Sequence, residues 1–273
     1  MKKLKEDERT VQFNLVNNTS DPIVVDLFDL SLTSVPTVDS SSAVPPSGAG
    51  TVAIGFDILW SALLNPNMPT RYYEGRVQFA SGVIRVFDTA GGIANISLGA
   101  GVVPSSLAFI PSQNKLYVGD YNNNQVIVID AISNTVITTI GGLANNTRSI
   151  LYVPSTNEIW VTTVNFAQSV QIIDPVTDTL IFTSAYPNCQ PQDSIYDPAT
   201  DKVLIPCLSS NTIWYINPTT RVLENQVPTP QAQPLSIGLV NNKAYVGYIN
   251  GTSVSILDIS SRIFTNNISY GGV

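Results

Sequence analysis

One strand–turn–strand phrase recurs five times at intervals of 41 to 44 residues, a second strand phrase stands ahead of the last four copies, and charge is scarce. Together these predict an all-β fold: a β-propeller of about five four-stranded blades with an N-terminal β-hairpin arm.

The first observation is the phrase itself. It reads "VIVIDAISNTVITTI" in its clearest form, with copies in "VIRVFDTAGGIANI", "VQIIDPVTDTLIFTS", "IWYINPTTRVLENQ" and "VSILDISSRIFTNN". The residues that open the turns are Asp88, Asp130, Asp174, Asn217 and Asp258, spaced by 42, 44, 43 and 41 residues. An Asp or Asn at a strand end accepts a hydrogen bond from the backbone two residues on, and so forms the turn into the next strand. These five are expected as turn-formers rather than catalytic acids.

The second observation is the pair of elements ahead of the phrase. "NKLYVGDY", "NEIWVTTV", "DKVLIPCL" and "NKAYVGYI" repeat in register, and "LAFIPSQN", "ILYVPSTN", "SIYDPATD" and "LSIGLVNN" precede them. Three of the latter carry a Pro, which fixes φ at the first turn corner. Each unit therefore reads strand, tight turn, strand, polar loop, strand, Asx turn, strand. The strands are rich in Val, Ile and Tyr, as half-buried pleated surfaces prefer. One such blade cannot bury both faces of its sheet, so neighbouring blades must stack.

Composition is the third. Of 273 residues 44% are hydrophobic, which supplies a sizeable core, and 12% are charged, about half the usual share. Polar surface then comes from Asn, Thr, Ser and Gln in tight turns. Net charge is −7 with 13 Lys and Arg, which disfavours nucleic acid as a partner. There is no histidine and there are two cysteines, too few ligands for a structural zinc site. No run of 18 apolar residues is present, so no membrane span is expected. "MKKLKEDERTVQFN" lacks the apolar core of a signal peptide, which points to synthesis in a cytosol.

The stretch "KLYVGDYNNNQVIVIDAISNTVITTI" is similar to the YVTN-type propeller repeat, a relative of the NHL class: "YV" on the second strand, "VIVID" on the third, "TVITTI" leading into the fourth. The resemblance spans roughly residues 75–270. It implies a scaffold used mostly for surface interaction and no particular reaction. The "GH…WD" pair of WD40 repeats is missing. A streptogramin-lyase type of propeller enzyme would require a catalytic histidine, which the chain lacks.

The sequence thus divides into an arm and linker over 1–50 and a propeller over 51–273. An irregular first blade is expected at 51–106, with repeats at about 107–149, 150–194, 195–236 and 237–273. In the first blade Phe56, Leu59, Trp60, Leu63 and Leu64 fall at helical spacing ahead of Asn65–Pro66, which predicts a short helix on the propeller end. "TVAIGF" at 51–56 is a candidate to complete a blade and close the ring. In the arm, "TVQFNLVNNTSDPIVVDLFDL" reads as a hairpin and "TSVPTVDSSSAVPPSGAG" as a strap.

No catalytic, cofactor-binding or metal-binding residues are expected. Without histidine, Ser-His-Asp and Cys-His sites are excluded in their usual forms. The pairs Asp174/Asp178 and Asp197/Asp201 sit at repeat-equivalent turns, where turn formation is their expected job. In "GDYNNNQ", Asp120, Asn122, Asn123 and Asn124 could offer oxygens to Ca²⁺, but a hydrogen-bonded loop is the stronger reading for one carboxylate. Cys189 and Cys207 can lie on one face of the propeller; separate, partly buried thiols are the default and a disulfide the alternative. Tyr121, Tyr186, Tyr248 and Trp60 are the aromatic candidates for an interaction surface, with strand packing as their other role.

The function expected is a non-enzymatic structural and interaction protein, made in a host cytoplasm and placed in a virion or phage tail. It would dock through its N-terminal arm onto other structural proteins and present its propeller. The alternative is a carbohydrate- or protein-binding propeller at a cell surface or outside the cell. A surface glycan or receptor, and a second copy of the chain, are the further partners the sequence allows.

Overall fold

The structure is a computed structural model. It describes the backbone of Arg9–Val16, Thr37–Val38, Ala49–Phe56, Trp60–Leu64 and Tyr72–Arg76, and residues 82–269 apart from 89–90, 145, 165–169, 185, 187–188 and 250. Side chains are described for 82–86 and from 94 onward. The fold is a β-propeller-like stack of five four-stranded antiparallel sheets. The first blade holds β4 (Trp60–Leu64), β5 (Tyr72–Arg76), β6 (Val83–Asp88) and β7 (Gly91–Ser97). The second holds β8 (Pro104–Ile110), β9 (Lys115–Asp120), β10 (Gln125–Asp130) and β11 (Thr135–Ile140). The third holds β12 (Thr147–Val153), β13 (Glu158–Thr163), β14 (Val170–Asp174) and β15 (Thr179–Thr183). The fourth holds β16 (Ile195–Asp197), β17 (Lys202–Cys207), β18 (Thr212–Ile216) and β19 (Leu223–Pro228). The fifth holds β20 (Pro234–Val240), β21 (Lys243–Tyr248), β22 (Ser253–Asp258) and β23 (Ile263–Ser269).

Each blade pairs its strands in chain order, and the repeat extends to its irregularities. The third and fourth strands slip by one residue at one place in every blade: Val86/Phe87, Val128/Ile129, Ile172/Ile173, Tyr215/Ile216 and Ile256/Leu257. Such a bulge sharpens local twist just before the turn-forming Asp or Asn.

Two expectations are corrected. The segment after Phe56 is not a helix: Trp60–Leu64 is strand β4, paired with Tyr72–Arg76. A run of alternating and adjacent apolar residues satisfies helical spacing and strand geometry alike, and pairing in the blade decides for the strand. The "TVAIGF" segment does not complete a blade. It lies in β3 (Ala49–Phe56), which pairs with β1 (Arg9–Val16) and β2 (Thr37–Val38) in a separate three-stranded sheet. The hairpin expected in the arm has its first run in β1, and its second apolar run lies outside the described residues.

The core lies between blades. Ile84, Val86 and Ile96 of the first blade pack on Leu107, Phe109, Leu116, Val118 and Ile127 of the second. The opposite face of the second blade, with Ile110, Tyr117, Val126, Val128 and Ile140, packs on Ile150, Ile159 and Val161 of the third. Trp160, Val170 and Ile172 then meet Val203, Ile205 and Trp214, and Leu204, Ile213 and Tyr215 meet Ile237, Ala244 and Val246. Successive residues of one strand serve opposite neighbours, as the period of two demands.

Side-chain contacts tie three of these interfaces at one repeat position, the fourth residue after the turn-former. Asp178 (φ 54) accepts from Lys115 Nζ at 2.7 Å and from the Tyr117 hydroxyl of the blade before it. Arg221 (φ 57) reaches Glu158 Oε1 at 2.6 Å, and Glu158 is also bound by Trp160 Nε1 at 3.1 Å. Arg262 (φ 60) lies over the Tyr215 ring, 5.3 Å from its centroid. Burial and the Asp178 carboxylate push the Tyr117 hydroxyl far above its ordinary range.

Cys189 and Cys207 form a disulfide, with Cα atoms 5.0 Å apart and both residues fully buried. The default of separate thiols is therefore overturned. The physical reason is the bridge between Pro191 and Cys207, which lays the connection into the fourth blade alongside β17.

Two stability effects follow. Arg221→Ala leaves Glu158 as a buried carboxylate without its counter-charge, and we expect a loss of about 2–3 kcal/mol in urea unfolding; a loss under 0.5 kcal/mol would show the pair to be a surface ornament. Reducing the disulfide, which closes an 18-residue separation, should lower stability by about 3 kcal/mol, read as a drop in urea midpoint with reductant present.

Candidate interaction surfaces

The turn-formers sit where the repeat places them. Asp130 Oδ1 accepts from the backbone N–H of Ile132 (2.8 Å) and Ser133 (3.0 Å), and those bonds, Ser133 first, hold its carboxyl below the usual range. Asp174 accepts from Val176 N, Asn217 from Thr220 N and Asp258 from Ser261 N. The side chain of Asp88 lies outside the described residues. In the carboxylate pairs, Asp174 and Asp197 close turns, while Asp178 binds Lys115 and Asp201 accepts from Ser155 Oγ at 2.7 Å and Tyr196 at 2.9 Å. Each carboxylate is thus bound by donors of turn or neighbour.

Asp120 is the hub of its loop. It is fully buried and accepts from Val103 N (3.0 Å), Asn122 N (3.1 Å), Asn123 Nδ2 (2.7 Å) and Gln125 Nε2 (2.8 Å). Asn124 Oδ1 accepts from Asn146 N at 3.1 Å, linking this loop to the third blade. The side-chain oxygens of Asp120 and Asn124 thus face N–H donors. Among the described residues no three His, Cys, Asp or Glu cluster as metal ligands.

The aromatic candidates do not converge. Tyr121 is half-buried beneath Arg148, whose guanidinium carbon lies 5.1 Å from the ring centroid. Tyr186 packs edge-on against Trp214 at 5.6 Å and donates to the Arg221 carbonyl, with burial raising its hydroxyl pKa. Tyr248 is buried between the fourth and fifth blades. The Trp60 side chain lies outside the described residues.

Sequence reading missed a polar belt on the inner strands. Ser106, Ser149, Asp193 and Ser236 hold one register position at spacings of 43, 44 and 43 residues, and Ser61 holds it in β4, opposite Gly75. Each member meets the residue that follows the next member. Ile150 N donates to Ser106 Oγ at 3.0 Å, Ser194 Oγ lies 2.9 Å from Ser149 Oγ, and Ile237 N donates to Asp193 Oδ2 at 3.1 Å. A Cβ on Gly119, opposite Ser106, would sit 2.6 Å from Thr147 Cγ2, so glycine there lets the blades approach. Asp193 is the belt's one carboxylate. Desolvation pushes it up to about 6, although Ile237 N, Ser194 N and Ser149 Oγ oppose the shift. The belt's spacing was visible, with Asp193 five residues before Pro198 as Ser106 and Ser149 stand before Pro111 and Pro154, but the adjacent Ser194 continues the serine pattern one residue off register.

The second surface is the far face of the fifth blade. In the second blade the face toward its successor carries Ile110 and Tyr117 at 0% exposure, Val126 and Val128 at 0% and Ile140 at 6%. The register-equivalent residues of the fifth are Val240, Tyr245, Val254, Ile256 and Ile268. Here Val240 is 44% and Ile268 50% exposed, Tyr245 and Val254 are half-buried, and Ile256 is covered. Ser236, the last belt residue, has no following blade among the described residues to donate to it.

Known structures resemble this chain in fold. Virginiamycin B lyase from Staphylococcus aureus matches with a TM-score of 0.69 at 14% identity, over 97% of this chain and 90% of its own. Kuenenia stuttgartiensis hydrazine synthase matches with a TM-score of 0.62 at 17% identity, over 84% and 71%. The WD40 repeats of RRP9 match with a TM-score of 0.62 at 12% identity, over 74% and 61%. At these identities the likeness bears on the fold alone. No protein-family model matches the chain, and no curated protein does.

Asp193 gives this belt a pH signature. Its folded pKa is raised, so the ionised form opposes folding above about pH 6 and the penalty is relieved as pH falls toward 4. At about 1.4 kcal/mol per tenfold, ionised Asp193 costs about 3 kcal/mol at pH 7. Relative to Asp193→Asn, the parent chain should gain stability as pH falls from 7 to 4.5, measured by urea midpoints. Parallel pH curves for the two chains would remove Asp193 from that role.

Proposed function

We propose that this chain is a non-enzymatic structural and interaction protein, a virion- or tail-associated component that docks through its N-terminal arm and presents its propeller to a partner. The observation that carries the reading is the partly exposed apolar face of the fifth blade: Val240 is 44% and Ile268 50% exposed where their counterparts in the second blade, Ile110 and Ile140, are buried. Contiguous exposed apolar patches on such proteins mark protein contacts. The arm adds a second unit, a small sheet separate from the blades. Turn carboxylates across the repeat are engaged as turn and interface acceptors, which supports a scaffold role for them. The buried Cys189–Cys207 disulfide supports a final location outside a reducing cytosol.

The arm is the part to test. Deleting residues 1–50 should leave a folded propeller, with its cooperative melt retained, that no longer enters particles when co-expressed with the neighbouring structural proteins of its assembly. Incorporation at the level of the full chain would overturn the docking role of the arm.

A further inference from the structure

We propose that the Cys189–Cys207 disulfide is a redox latch on the inner edge of the fourth blade: reduction lets residues 189–194 leave β17 and carries Asp193 out of the belt while the blades stay folded. The latch is called for by Pro206. In the second, third and fifth blades the belt residue pairs with the second strand, Ser106 with Gly119, Ser149 with Thr162 and Ser236 with Gly247. Pro206 holds that place in the fourth blade, opposite Ile213 of β18. A proline has no N–H to give a ladder, which makes it rare in central strands. The β16–β17 ladder accordingly stops at Ile195 and Leu204. As a result β16 has 3 residues, where β8, β12 and β20 have 7 each.

Beyond that break the inner segment is held to β17 and its end by a short set of contacts. Pro191 bridges to Cys207, Leu208 N donates to the Gln190 carbonyl at 3.1 Å, and the disulfide joins Cys189 to Cys207. Asp193 and Ser194 bond sideways instead. Asp193 accepts from Ser149 Oγ of the third blade at 3.4 Å and from Ile237 N of the fifth at 3.1 Å, and Ser194 Oγ lies 2.9 Å from Ser149 Oγ. A carboxylate taken out of water is costly, and burial pushes that of Asp193 up to about 6. At neutral pH hydration therefore draws it outward, and the covalent tie offsets that pull. Both sulfurs are buried, so exchange follows a local opening of the segment. A dithiol reductant then attacks the disulfide. Its two sulfurs close into a disulfide of their own, and Cys189 and Cys207 leave as thiols with the two electrons and two protons it gives up. A chain made under reducing conditions carries this edge unlatched, and oxidation closes the fourth blade.

The test is site-resolved hydrogen exchange on the full purified chain, oxidised and then reduced with dithiothreitol. Leu208 N is bonded to the inner segment and Ile237 N to Asp193, while Ile150 N is bonded to Ser106 Oγ, at the belt contact between the second and third blades. On reduction we expect Leu208 N and Ile237 N to gain at least tenfold in exchange rate relative to Ile150 N. The cooperative melt should be kept, and oxidised glutathione should close the gap again. A chain carrying Cys189→Ala and Cys207→Ala should show the same gap without reductant; if that variant does not fold, the reduced parent chain still gives the reading. A gap that does not open overturns the proposal, whether the three rates stay unchanged or rise together. In the second case the disulfide is a staple on the whole fold rather than a latch on one edge. Loss of the cooperative melt on reduction overturns it as well.

Discussion

Everything in this molecule depends on one constraint: a four-stranded blade has two apolar faces and can bury neither alone. In β9, Leu116 and Val118 face the first blade while Tyr117 faces the third. No side of such a strand is left for water. The scarcity of charge follows, because the fourth strands and the turns hold most of the wet positions; β11 and β23 are mostly exposed, whereas β9 and β13 are buried along nearly their whole length. Stability is then held by the interfaces in series, and a blade is worth what its neighbours make of it.

The legible part of the fold is the part governed by local chemistry. Asp130 bonds the backbone two and three residues on, so its role is written within four residues of itself. The same holds for Asp174, Asn217 and Asp258, and their spacing yields the blades. What was not legible depends on distant partners. Trp60–Leu64 has no period that separates strand from helix, and its pairing with Tyr72–Arg76 settles it. The Cys189–Cys207 disulfide depends on where an irregular connection lies against β17. Asp193 holds the belt position while the adjacent Ser194 continues the serine pattern one residue off register, so only the pairing of this segment tells which of the two belongs to the belt. Val240, Tyr245 and Val254 read like their buried counterparts, since no local feature tells a residue whether a sixth blade follows.

The position four residues after each turn-former shows how repeat and partner divide the work. All four described examples, Asn134, Asp178, Arg221 and Arg262, hold positive φ. Asn and Asp tolerate that conformation because their short side chains bond locally, whereas it strains Arg. The turn makes the demand, and the neighbouring blade offsets its cost. Arg221 finds Glu158 and Arg262 finds the Tyr215 ring. The sign of the charge reverses between interfaces, since Asp178 meets Lys115 where Arg221 meets Glu158. A blade placed next to the wrong neighbour would set like charges together, so this position favours one order of blades.

That specificity bears on the ends of the stack. From the second blade to the fifth, the interfaces carry both apolar packing and a fixed side-chain contact, Asp178 with Lys115, Arg221 with Glu158 and Arg262 with Tyr215, which favours their partners. The partly exposed face of the fifth blade carries the packing residues, and Ser236 at the end of the belt offers an acceptor to whatever approaches. A partner there must bring an apolar sheet to cover Val240 and Ile268, and a donor from its inner edge would complete the belt as Ile237 N does for Asp193. A flat helix surface would meet the first demand and miss the second, because its backbone N–H groups are already spent within the helix. A strand edge meets both. The chemistry of the last interface therefore asks for β-structure.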